Sequence, residues 1–96
     1  MSYDILLGPD AHSYLQNLDS KSERIVKKNL KKLENGPYPR PDSGPGDAEK
    51  VTVDGEKIFR LHIGRSHTAF YHINEGDNAV QIVDIMDINT AHKMYD

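Results

Sequence analysis

The chain has 96 residues, 36% of them hydrophobic and 28% charged, with a net charge of -3 and no cysteine. That length makes one domain, residues 1–96, with no room for a second core. Without cysteine, disulfides and thiolate chemistry are excluded. No apolar run approaches membrane-spanning length and no signal-peptide pattern opens the chain, so a cytoplasmic location without a membrane partner is expected.

The charge is uneven. Residues 20–40 hold seven basic and two acidic side chains, a local excess of +5 against -8 for the rest. The overall acidity argues against indiscriminate coating of nucleic acid, while the basic stretch leaves a local basic face open.

Taken in chain order, residues 3–7 form a short apolar run stopped by Gly8 and Pro9, which predicts a first strand. Asp10 is placed to cap a helix whose apolar residues Ala11, Tyr14, Leu15 and Leu18 recur at i, i+3, i+4 and i+7 and so share one face. Ser20 and Glu23 have capping-box spacing and start a second helix. Its apolar stripe is Val26, Leu30 and Leu33, with Ile25 beside it, and Asn35-Gly36-Pro37 ends it. The short linker predicts an antiparallel helix hairpin.

Residues 36–49 hold four of the five prolines and three of the seven glycines and read as a loop. Residues 50–53 alternate as a half-buried strand. Asp54-Gly55 is a strong hairpin signal, leading into a strand at 58–63. There Phe59, Leu61 and Ile63 share one face and Ile58, Arg60 and His62 the other. Gly64-Arg65-Ser66 turns the chain into a strand near 68–73, and residues 74–78 turn it again. Residues 79–86 are apolar on both faces apart from Gln81 and Asp84, which predicts a central strand. Residues 87–95 read as a short C-terminal helix capped by Asp87 or Asn89. The fold class is α+β: a strand, a helix hairpin, then a four-stranded antiparallel sheet and a short last helix.

Several side chains suited to chemistry fall in the second half. Arg60 and His62 share a strand face, Arg65 lies in the next turn, and His67 and His72 lie in the next strand. His92, Lys93 and Tyr95 lie near the end. Brought to one concave face, such a set binds a phosphodiester, with arginine neutralising charge and histidine or tyrosine moving protons at a ribose 2′-OH. Each also has a plainer reading. Arg60 on an open sheet is a solvated charge, and His62 and His67 are sheet-surface residues. The Lys27, Lys28, Lys31 and Lys32 stripe is a solvated helix face as readily as an RNA-binding one together with Lys93. Three histidines on neighbouring strands are compatible with a metal, but no ligand spacing supports one, so no metal and no cofactor is expected.

Set in order, these segments resemble the RelE/ParE family of toxin–antitoxin toxins over nearly the whole chain. The resemblance lies in the opening Tyr-Asp-Ile-Leu-Leu leading into Pro9-Asp10-Ala11 and Tyr14-Leu15, and in the helix followed by Asn35-Gly36-Pro37-Tyr38-Pro39. It continues in Phe59-Arg60-Leu61-His62-Ile63-Gly64, Phe70-Tyr71-His72-Ile73, Ile82-Val83-Asp84-Ile85 and the closing Ala91-His92-Lys93-Met94-Tyr95. The RelE branch implies a ribosome-dependent, metal-independent mRNA endonuclease that cleaves through attack of the 2′-OH on the adjacent phosphate and is held inactive by an antitoxin. It implies the ribosome, mRNA and the antitoxin as partners. The ParE branch implies the alternative, a toxin without nuclease activity that acts by binding a topoisomerase, or only its antitoxin.

Carried over residue by residue, the family's basic pair falls on Arg60 and His62, its C-terminal tyrosine on Tyr95 and a preceding histidine on His92. Three departures stand out. Where the family has a Tyr-Arg pair early in the fourth strand, this chain has His67-Thr68, leaving Arg65 or His67 as the replacement cation. Asn89 stands where an arginine is common. The chain is acidic where active members are basic.

Overall fold

The computed structural model describes residues 2–38, 48–64 and 66–93, the side chain of His92 excepted. A five-stranded sheet in the order β1-β5-β4-β3-β2 forms the frame, from β1 (Asp4–Leu7), β2 (Ala48–Val53), β3 (Glu56–Ile63), β4 (His67–Asn74) and β5 (Ala79–Asp87). Two helices, α1 (Pro9–Gln16) and α2 (Ser20–Lys31), follow β1, and a short α3 (Ile88–His92) follows β5. A 3₁₀ turn at Lys32–Glu34 extends α2. No described helix is long and apolar enough to cross a membrane.

The first strand does more than precede a four-stranded sheet. It joins the sheet as a fifth strand, parallel to β5, with Ile5 opposite Val80 and Leu7 opposite Ile82. β5 is therefore interior, as its two apolar faces require. Two caps differ from the expected ones. Gly8 stands at the N-cap of α1 with Pro9 in its first turn, which moves Asp10 into that turn; a Cβ at Gly8 would meet the carbonyl oxygen of Ile82 at 3.1 Å. Asp19 caps α2 by accepting from the Ser22 amide at 3.4 Å, while Glu23 pairs with Lys27 at 3.5 Å. An aspartate satisfies the free amides of the first turn as well as a serine does.

The β2–β3 hairpin turns at Asp54 and Gly55, whose φ values of 51° and 82° are the pair of positive angles a two-residue turn of this hand needs. That loop sets Val53 opposite Glu56 and, four residues on, Glu49 opposite Arg60. β2 begins at Ala48, inside the segment expected to be loop, because hairpin pairing continues past the polar Glu49-Lys50.

α1 and α2 cover one face of the sheet. Leu15, Val26, Leu30 and Leu33 are buried against Leu61, Ile63, Ala69, Tyr71, Val80, Ile82 and Ile85, and Tyr14 and Leu18 pack on the same cluster. Each large side chain removed from water there contributes about 1.5–3 kcal/mol before entropy is counted. Tyr71 donates to the Pro37 carbonyl at 2.6 Å, which ties the chain after the 3₁₀ turn to the sheet. The opposite face carries a smaller cluster of Phe70, Met86 and Ala91, with Val51, Val53 and Ile58 beside it. α3 docks there, its first turn closed by Asp87, which accepts from the Thr90 amide at 3.0 Å and the Thr90 hydroxyl at 2.8 Å.

Candidate functional site

Strand alternation puts Arg60 and His62 on the sheet face away from α1 and α2, next to Phe70 and Thr68, their register partners on β4. His72 shares that face, two residues beyond Phe70. Arg60 is 8% exposed and its guanidinium donates to the Glu49 carboxylate, its register partner on β2. A buried guanidinium requires such a partner, because an isolated charge is costly away from water. His62 is half-buried. On β5, Asp84 lies opposite Phe70, and burial raises its carboxyl above the ordinary aspartate range.

Thr68, where the resemblance implies an arginine, is fully buried opposite His62. Its hydroxyl has no hydrogen-bond partner among the described residues.

His67 does not join this group. It pairs with Ile63, so its side chain points to the helix face. There its Nδ1 is 2.8 Å from the Tyr14 hydroxyl and its ring meets the Tyr14 ring edge-on, with centroids 5.8 Å apart. Burial, and then the Asp87 carboxylate nearby, raises the pKa of Tyr14. The sheet therefore lies between His67 and Arg60, and the expectation that His67 supplies a cation beside Arg60 is corrected by strand parity. Arg65 and Tyr95 lie outside the described residues, as does the side chain of His92.

The lysines divide in the same way. Lys27, Lys28, Lys31 and Lys32 are exposed on α2, on the helix side of the sheet, and Lys93 is exposed at the end of α3, on the Arg60 side. Among the described residues, no three His, Cys, Asp or Glu side chains form a group that could hold a metal.

A second feature lies at the β1 edge of the sheet. Ile5, Leu7, Leu15 and Leu30 floor a groove of about 280 Å³ whose rim carries Lys27, Lys31 and Glu34. Beyond the strand, Leu6, Leu7 and Val83 line another of about 440 Å³. Leu6 is 49% and Val83 42% exposed. Val83 is the extra residue at an irregularity in β5, where Phe70 faces Asp84 and Tyr71 faces Ile82, and such a bulge turns a side chain out of the regular alternation.

Two contributors were not singled out in the sequence, Glu49 and Tyr14 as the partner of His67. For Glu49 a signal existed, since a two-residue turn at Asp54-Gly55 dictates the Glu49–Arg60 pairing.

No family model matches the chain, and no curated protein does. Solved structures match along nearly its whole length. A RelE–RelB complex from Pyrococcus horikoshii is similar with a TM-score of 0.69 at 23% identity, covering 91% of this chain and 96% of that one. The RelBE2 toxin–antitoxin complex from Mycobacterium tuberculosis gives a TM-score of 0.73 at 15% identity, covering 91% and 99%. A mutant of the toxin RelE from Escherichia coli in the free state gives 0.63 at 15% identity, covering 96% and 90%. The shared feature is the architecture from the first strand to the last helix, and this chain has the fold of these RelE structures.

Proposed function

We infer that the chain is the toxin of a type II toxin–antitoxin pair, a metal-independent endonuclease acting in the cytoplasm on mRNA held by the ribosome. The observation that carries this reading is the pairing of Arg60 with His62 on the sheet face free of α1 and α2, in a fold that solved RelE toxins share. In the reaction the ribose 2′-oxygen forms a bond to the adjacent phosphorus and the bond from phosphorus to the 5′-oxygen breaks. One proton leaves the 2′-OH and one reaches the departing 5′-oxygen. Arg60 neutralises the phosphate as charge builds on it, a contribution of about 2.7–4 kcal/mol for one well-placed donor. His62, two residues along the same strand face, is placed to move a proton. His92, Tyr95 and Arg65 take the further acid, base and cation roles on the strength of the resemblance alone.

The antitoxin is assigned to the β1 edge. β1 is an outer strand of the sheet, open to strand addition. The apolar groove beside it is rimmed by Lys27 and Lys31, which suits an acidic and apolar partner segment. The matched structures from P. horikoshii and M. tuberculosis are toxin–antitoxin complexes, which supports such a partner.

A second reading is favoured by Thr68 and by the Glu49–Arg60 pair: a RelE/ParE-fold protein without nuclease activity, acting by binding a topoisomerase or only its antitoxin. Purified protein added to a translating extract separates the two. Message cut at defined codon positions, only when ribosomes are present, supports the first; intact message together with arrested growth of expressing cells supports the second.

A further inference from the structure

Resting on the reading of the Arg60 face as the RNA site, we propose that Glu49 is part of that site, as the internal anion that occupies Arg60 until an RNA phosphate displaces it. The two residues of the pair differ in a way that suits exchange. Arg60 is fixed in the middle of the sheet face, 8% exposed, between Glu49 on one neighbouring strand and Phe70 on the other. Glu49 sits on β2, an outer strand, and its side chain is 51% exposed. Its carboxylate reaches the guanidinium from the solvent side and can return to water at little cost, whereas Arg60 stays buried.

A phosphodiester offers the same donor the same kind of acceptor, an anionic oxygen that takes arginine hydrogen bonds. The exchange leaves Arg60 paired at every stage, so no buried charge is stranded. Glu49 is thus a positioning residue. It holds the guanidinium aimed across β2 and sets how strongly a phosphate must compete for it.

The test is binding of a fluorescein-labelled single-stranded RNA at low salt by the full chain and its E49Q, R60M and E49Q/R60M variants. E49Q removes the competing charge, and the gain expected is about fivefold in affinity, the scale of a half-exposed ion pair. In the R60M background the same change should give no gain, because the competition acts only through Arg60. A gain that persists in that background means general repulsion of RNA by Glu49 and overturns the exchange, while leaving RNA binding intact. Unchanged or weakened binding by folded E49Q overturns it too. Should E49Q fail to fold, the side-chain Nε–Hε resonance of Arg60 and the carboxyl carbon of Glu49 are followed in the wild-type chain as RNA is added. Both shift together if the carboxylate is displaced. A Glu49 signal that stays fixed while RNA binds refutes the exchange alone, and absence of RNA binding by any form removes the RNA reading and the exchange together.

Discussion

On the side of the sheet that carries α1 and α2, Leu33, Ile63 and Tyr71 are fully buried in one continuous cluster. On the other side the described residues form a smaller apolar cluster of Phe70, Met86 and Ala91 with Val51, Val53 and Ile58 beside it. The buried groups there include the guanidinium of Arg60 and the hydroxyl of Thr68, which has no partner among the described residues. The first arrangement is what a small domain needs to fold. The second is less favourable for stability than an apolar face would be, so its polar groups are where a function is to be sought. The same sequence period of two serves both, because each strand sends alternate residues to opposite sides.

The contrast can be broken first on the helix side. Leu33→Ala should lower the unfolding free energy by about 3 kcal/mol, within the range for emptying a leucine site in a packed core, as measured by urea denaturation. A loss below 1 kcal/mol would mean that the helix-side cluster is not what holds the domain together. Next comes the groove beside β1. Leu7→Asp, which puts a charge where both grooves meet, should weaken antitoxin binding at least thirtyfold, the scale of losing one buried anchor of about 2 kcal/mol. Calorimetric titration with the proposed antitoxin checks it, and unaltered affinity would move the antitoxin to another surface.

A smaller effect of opposite sign is expected on the Arg60 side. Thr68→Val replaces a buried hydroxyl that has no partner among the described residues by a methyl of the same shape, and should stabilise the chain by about 1 kcal/mol in the same denaturation experiment. Destabilisation would show that the hydroxyl is satisfied. The smallest effect concerns α3. The Thr90 amide, and then its hydroxyl, hold the Asp87 carboxyl below the usual aspartate range. Its capping contribution is therefore complete above the unfolded value of about 3.9 and is lost as pH falls through the lower folded value. The Thr90 amide resonance should titrate with a midpoint below that of a free aspartate, and a midpoint at or above it would remove the cap.

The parts of this architecture that could be read in the sequence were those decided locally. The i, i+3, i+4 spacing of Ala11, Tyr14 and Leu15 fixed which face of α1 is buried, and Asp54-Gly55 fixed a hairpin because few residues accept two successive positive φ angles. Parity placed Arg60 and His62 together. What could not be read locally depended on partners distant in the chain. The parallel pairing of β1 with β5 joins residues some 75 positions apart, and nothing in Ile5 or Leu7 names Val80 or Ile82. The side taken by His67 is legible only when the strand is counted from that residue and not from Thr68, since alternation with Ala69 and Tyr71 then places it under the helices. Glu49 reads as loop because Glu49-Lys50 has no apolar pattern, although the turn at Asp54-Gly55 implies its place opposite Arg60.

The central claim is that the Arg60 face does the chemistry while the β1 edge holds the partner. Cleavage of message on programmed ribosomes, with the antitoxin absent, tests it most directly when each region is altered alone. Wild type and Leu7→Asp, shown to be folded, should cut alike, and Arg60→Ala should cut about a hundredfold more slowly. Equal cleavage by all three, or none by the wild type, would contradict the account.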